Sequence, residues 1–328
     1  MTADQGQPVP HWPGRIVKLA ENEQVYLAET PRSVNEEKDL VLCVHGMSGA
    51  ATNWTDLMAE LAPDFDCAAV DLPGSGYSPP PARRSGYSVR RSGYSVRSLA
   101  ATVIRLIETL GRGPVHLIGN SMGGAVSIRV AATRPDLVKT LTLISPVLPD
   151  RRPHRATLHF PVLALPFVGQ RLVRYWAKVP AENRVAGVYR ACFYNPALLH
   201  PDRFAHEVVM LRRLDQLGHG PATLVGAART LVGETLSPRP FSLWRAAERI
   251  TVPTLVLFGG HDRLVSPALA VPAARAFRNA RVEVLADTAH IGQMERPGEV
   301  AARFREMVER AGMPDAGTRL SPDELTST

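Results

Sequence analysis

The sequence has no apolar run long enough to cross a bilayer, which takes roughly 20 residues. Its opening stretch, MTADQGQPVPHWPGR, lacks the basic-then-apolar order of a secretory signal, and the expected location is the cytoplasm. Cysteine is scarce: Cys43, Cys67 and Cys192 lie far apart among apolar neighbours, which excludes a disulfide framework and a zinc-ligand spacing and predicts buried reduced thiols. Lysine is scarce too, occurring at Lys18, Lys38, Lys139 and Lys178, so the net charge of +7 is carried by arginine. No dense basic run stands beside exposed aromatics, which argues against nucleic acid as a partner. An arginine-rich bias of this kind reads as base composition of the genome. It is nevertheless uneven. Residues 150–248 hold 14 Arg or Lys and 7 Asp or Glu, and 14 − 7 = +7 equals the excess of the whole chain. Any action of this charge falls on that segment, toward an anionic substrate or surface.

What is present fits a globular protein. Hydrophobic residues make up 45% and charged residues 21% of 328, enough for a sizeable core plus an insertion. Residues 1–14 and 312–328 are polar and read as flexible tails. Between them, β-type runs at 16–20, 24–29, 39–45, 66–71, 114–119, 139–145, 254–259 and 281–286 alternate with helical patterns near 54–62, 96–111, 122–133, 267–278 and 297–310. That alternation predicts an α/β fold, a mostly parallel eight-stranded sheet flanked by helices. LVLCVHG, VHLIGNS, TLTLIS and TLVLFGG are continuous apolar runs, as expected of strands buried on both faces. Each ends in Gly or Ser, and ligands of open α/β sheets bind at the carboxyl ends of strands.

About a hundred residues separate the strand ending at Ser145 from the one starting at Thr254, far beyond an ordinary connection. Apolar, helix-favouring stretches broken by Pro and Gly predict a mainly helical cap or lid over 148–248, with the core formed by 15–147 and 249–311. RRSGYSV occurs at 83–89 and again at 90–96. The tandem copy is too short for a repeat architecture and reads as a loop before a helix starting near Val96.

Gly119-Asn120-Ser121-Met122-Gly123 matches G-x-S-x-G between the strand VHLIG and the helix GGAVSIRVAATRP, the setting of a nucleophile elbow. There a strained turn presents the Ser121 hydroxyl, and Gly119, Gly123 and Gly124 remove side chains that would collide. A serine nucleophile needs a base within hydrogen-bond reach. His290, in the loop ADTAHIGQMERP after the strand RVEVLAD, is the candidate. His11, His154, His159, His200, His206 and His219 have no comparable setting. Asp262, in GGHDRLVSP after TLVLFGG, is placed to orient the imidazole, with Asp150 and Asp287 as alternatives. The order Ser, Asp, His suits this architecture. Backbone N–H groups of Met122 and Met47 are the expected oxyanion donors. His45 and Gly46 support the second donor, and His45 is expected to be a structural hydrogen-bonder.

Together HGMSG at 45–49, DLPGSGYS at 71–78, GNSMGG at 119–124, GGHD at 259–262 and DTAH at 287–290 resemble the α/β-hydrolase superfamily over about residues 16–311. Its serine-nucleophile branch holds esterases, lipases and carbon-carbon bond hydrolases. The resemblance implies an α/β-hydrolase fold and the triad Ser121, Asp262 and His290. Serine at the elbow sets the chain apart from relatives that use aspartate there. GNSMGG also resembles the carbon-carbon bond hydrolases of aromatic ring-fission products, but these usually carry Trp after the catalytic His, where this chain has Ile291.

The expected activity is hydrolysis of a carboxylic ester through an acyl-enzyme, with no cofactor and no metal. The alternatives are carbon-carbon bond hydrolysis, cofactor-free haloperoxidase or acyltransferase chemistry on the same triad, and a non-catalytic binding role. The expected partners are a small-molecule or lipid ester and a lipid surface. LHFPVLALPFV at 158–168 would line an acyl pocket or meet that surface. The expected assembly is a monomer or a homodimer.

Overall fold

The computed structural model describes residues 8–32, 37–81, 93–150, 153–165, 167–238 and 241–312. Eight strands, β1 (Gly14–Ala20), β2 (Glu23–Glu29), β3 (Leu40–Val44), β4 (Asp66–Val70), β5 (Val115–Asn120), β6 (Val138–Ile144), β7 (Thr254–Gly259) and β8 (Ala280–Leu285), form one sheet in the order β1-β2-β4-β3-β5-β6-β7-β8. β2 pairs antiparallel with β1 and with β4, and every later pairing is parallel. The predicted strands lie within two residues of these bounds.

The helices are α1 (Thr55–Leu61), α2 (Val96–Leu110), α3 (Met122–Thr133), α4 (Phe160–Ala164), α5 (Val168–Trp176), α6 (Ala181–Cys192), α7 (Pro201–Leu217), α8 (Gly220–Thr235), α9 (Leu243–Ala247), α10 (Ala270–Ala276), α11 (Gly292–Glu295) and α12 (Pro297–Gly312). The single helix expected over 267–278 is a 3-10 turn, Pro267–Leu269, followed by α10. Ser266 accepts the Ala268 amide and so caps the turn.

The continuous apolar strands serve two cores because successive side chains leave opposite faces. Leu42, Val44, Leu117, Val256 and Phe258 enter the cluster that includes α2 and α3. Val41, Cys43, Ile118, Leu255 and Leu257 enter the cluster shared with α1 and α12. α2 turns Val96, Leu99, Ala100, Val103, Leu106 and Ile107 inward at helical spacing, and Ser95 caps it by accepting the Ser98 amide.

Helices α4 to α9 fill the chain between β6 and β7. Arg129 of the central helix α3 is buried and reaches Glu234 of α8 at 2.9 Å and the carbonyl of Phe241. Most of the RRSGYSV repeat lies outside the described residues. Its last residues do ordinary structural work, since Thr230 donates to the Tyr94 carbonyl at 2.6 Å and Ser95 caps α2.

The expectation of a loose tail over 1–14 needs correction at its inner end. His11 meets Thr55 Oγ1 at 2.7 Å, Trp12 donates to the Thr55 carbonyl at 3.0 Å, and Arg203 donates to the Val9 carbonyl at 2.6 Å. Two aromatic rings in a proline-flanked segment bury area at small entropic cost, which their polar neighbours in the sequence conceal. Residues 1–7 and 313–328 lie outside the described residues. Cys43, Cys67 and Cys192 are buried and unpaired, and burial pushes the Cys67 and Cys192 thiols up to about 12.

Candidate active site

Parallel registry puts the carboxyl ends of five strands, β3, β5, β6, β7 and β8, side by side. Val44 pairs with Gly119, Asn120 with Ile144, Ile144 with Leu257, and Gly259 with Leu285. The segments leaving these strands carry His45 to Met47, Ser121, Asp262 and His290, so residues far apart in the chain converge on one edge.

Ser121 sits between β5 and α3 with φ 54° and ψ −118°, a conformation costing about 1–3 kcal/mol for a residue with a side chain. Its backbone is held on both sides: its N–H donates to the Ile144 carbonyl at 3.0 Å, and its carbonyl accepts from Val147 at 3.0 Å and Ala125 at 3.2 Å. The glycines of the motif are required by contact. A Cβ at Gly123 would lie 2.1 Å from the Val44 carbonyl oxygen, and one at Gly119 would lie 2.6 Å from that of Gly123. α3 therefore starts flush against the end of β3.

His290 and Asp262 are both buried and joined by a 2.8 Å hydrogen bond from Nδ1 to Oδ2. Asp262 Oδ1 accepts the amides of Leu264 at 2.7 Å and Val265 at 3.0 Å. Burial pushes its carboxyl up, but the His290 imidazole and these two amides outweigh that, and the pKa lies below the ordinary carboxylate value. Of the three candidate acids, Asp262 is the one that meets His290, and Asp287 is exposed.

His45 is structural in its contacts. Its Nε2 accepts the Leu72 amide at 3.0 Å, which leaves Nδ1 to donate to the Gly46 carbonyl at 2.7 Å. Burial lowers its pKa to about 4. Gly46 passes directly against Ser121, since a Cβ there would meet Ser121 Cβ at 3.0 Å. Met47 follows it, and among the described residues its amide has no acceptor. Met122 is the first residue of α3, so no preceding turn of helix satisfies its amide.

Several residues at the site carry no recognisable signal in the sequence. Asn120 Nδ2 donates to the carbonyls of Ile144 at 3.0 Å and His290 at 2.9 Å, tying the elbow to the histidine loop. Glu295 accepts Ala289, Tyr194 and Asn195 amides, and the His290 amide donates to the Cys192 carbonyl at 2.9 Å. Tyr194 stacks on His261 with ring centroids 3.9 Å apart. Asp71, in DLPGSGYS, accepts the amides of Ala51 at 2.6 Å and Tyr77 at 2.7 Å, and burial raises its pKa to about 6. Its partners are backbone amides of two loops, which no residue pattern announces. His11 and His206 pair with each other, ring centroids 4.0 Å apart. Among the described residues no group of three or more His, Cys, Asp or Glu is placed to hold a metal ion.

The strand order and the elbow define a protein of the α/β class with its candidate site at the carboxyl edge of the sheet. The alpha/beta hydrolase fold family matches residues 39–297, and the chain belongs to it. One relative is the dihydrolipoyllysine-residue acetyltransferase component of the acetoin cleaving system of Cupriavidus necator, 25% identical over 82% of this chain. The chain spans 63% of that relative's length. The pimeloyl-[acyl-carrier protein] methyl ester esterase of Neisseria meningitidis is 25% identical over 85% of this chain and 96% of its own. A 2-hydroxy-6-oxo-6-phenylhexa-2,4-dienoate hydrolase from Rhodococcus sp. strain RHA1 has the same fold, with a TM-score of 0.69, 18% identity, and coverage of 90% of this chain and 100% of its own. Among the described residues no helix is long and apolar enough to cross a membrane.

Proposed function

We propose that the protein is a serine hydrolase of carboxylic esters, with Ser121 as nucleophile, His290 as general base and Asp262 as the acid that orients it. The observation that carries this reading is the 2.8 Å bond between buried His290 Nδ1 and Asp262, beside a serine held at positive φ in a strand-turn-helix elbow. With Nδ1–H directed at the carboxylate, Nε2 is the nitrogen free to take the hydroxyl proton. Ser121 Oγ attacks the ester carbonyl, and the tetrahedral oxyanion accepts the Met122 and Met47 amides. His290 then protonates the departing alkoxide, and water repeats the sequence on the acyl-enzyme. The helices between β6 and β7 act as a cap over this edge, joined to it through Glu295. The family membership and the relative named as a methyl ester esterase support ester chemistry.

The test is hydrolysis of p-nitrophenyl esters of graded chain length by the wild type and by Ser121→Ala, across roughly pH 5 to 9. Turnover by the wild type, with the variant folded and reduced by on the order of 10⁴ or more, is expected. A folded wild type inert on every ester defeats the esterase reading, and ring-fission dienones become the next substrates to try.

A further inference from the structure

The chain from residue 151 to 181 contains Arg151, Arg152, Arg155, Arg171, Arg174 and Lys178 and not one Asp or Glu. α5 lies inside it. Gly169 and Val173 are its buried positions, and a Cβ at Gly169 would lie 1.9 Å from the Leu163 carbonyl oxygen, so this side of α5 sits hard against the end of α4. The flank that borders these packed positions is unlike an ordinary solvated surface. At 3.6 residues per turn, Val168, Leu172, Tyr175 and Trp176 fall within an arc of about 100°, and all four are exposed, Tyr175 at 72%.

Arg171 and Arg174 occupy the adjoining arc, and Lys178 follows in the next turn. Among the described residues none of the three has an ion-pair partner. Phe167, immediately before α5, holds φ +60° and is 80% exposed. A bulky side chain pays for that backbone state, here without burying its ring in the protein. Val162 within α4 and Leu158 and Leu165 on either side of it are exposed as well.

We infer that the α5 face is a docking surface for an anionic lipid bilayer, with Phe167, Leu172 and Tyr175 entering the headgroup boundary and Arg171, Arg174 and Lys178 meeting lipid phosphates. An exposed apolar arc with packed positions along one flank and a row of cations along the other has the geometry of an interfacial helix. A segment devoid of acidic residues complements a negative surface. A second copy presenting the same face would set these cations against one another, which disfavours self-association as the occupant. The inference is independent of the chemistry at Ser121, because binding requires no turnover.

The experiment is cosedimentation of the full chain with vesicles of phosphatidylcholine alone and with about 30% phosphatidylglycerol. The wild type and Ser121→Ala are expected to bind the anionic vesicles alike, to bind neutral ones much less, and to release as salt rises. Each cation near an anionic surface contributes about fivefold, so Arg171→Glu with Arg174→Glu is expected to lower binding by at least about tenfold. Phe167→Ser with Leu172→Ser lowers it as well. Both variants keep the wild-type Tm and the wild-type turnover of a dissolved ester. No binding to anionic vesicles, binding that neither variant changes, or a dimer in ultracentrifugation that Phe167→Ser abolishes while vesicles stay unbound overturns the inference.

Discussion

Glu295 Oε2 accepts the amide of Ala289, the residue before His290, at 2.8 Å. Its Oε1 takes the amides of Tyr194 at 2.7 Å and Asn195 at 2.9 Å. One buried carboxylate thus fastens the histidine loop to the segment after α6, and the His290 amide repeats the link by donating to the Cys192 carbonyl. Glu295→Gln turns one acceptor into a donor facing an amide donor. Stability is expected to fall by about 1–3 kcal/mol. kcat on an ester is expected to fall between about tenfold and a hundredfold through misplacement of the imidazole, with KM little changed. Urea unfolding and steady-state kinetics check both, and an unchanged kcat means that His290 keeps its place without this clamp.

Asp262→Asn preserves the shape of the contact to His290 but favours the wrong tautomer of the ring. By analogy with serine-protease triads, kcat/KM is expected to fall by about 10⁴. Asp150→Asn is expected to leave it near the wild-type value. If the two variants exchange these outcomes, the acid has been misassigned.

Gly123→Ala places a methyl 2.1 Å from the Val44 carbonyl oxygen, a rigid backbone atom. α3 must move as a unit, with an expected loss of about 3 kcal/mol or more, large for a single methyl. Thermal unfolding measures it. A variant with wild-type Tm means that the junction of β3 and α3 has slack.

Burial holds the His45 pKa down to about 4 in the folded protein, against an ordinary value of about 6.5. The unfolded chain therefore takes up the proton first as pH falls. The contribution of the neutral ring is complete above pH 6.5 and is lost progressively toward pH 4. At about pH 5 the loss relative to neutral pH comes to about 2 kcal/mol. His45→Gln, neutral throughout, is expected to lack this component, so the stability difference between wild type and variant shrinks as the pH falls. Urea titrations at several pH values read it, and a constant difference shows that His45 does not carry it.

The centre of the sheet was legible because strands buried on both faces must be apolar at every position, and such runs stand out in any order of reading. Ser121, Asp262 and His290 were legible for a related reason. Ser121 and Asp262 follow two of those runs within a few residues, His290 follows the partly exposed edge strand β8, and parallel strands side by side force their carboxyl ends onto one edge. The elbow glycines announced themselves because only a missing side chain fits 2.1 Å from a carbonyl oxygen.

The tertiary structure alone decided which acid faces His290. Asp150, Asp262 and Asp287 all follow strands, and the choice depends on loop paths that side-chain type does not encode. It alone also disclosed Glu295 and Asn120, whose partners are backbone groups, identical at every position of a sequence and therefore silent in it. The same holds for α5. The sequence supplies its apolar and basic residues, but which arc is packed and which is exposed was fixed only when Gly169 turned against α4 and Val173 was buried, leaving Phe167 and Tyr175 in solvent.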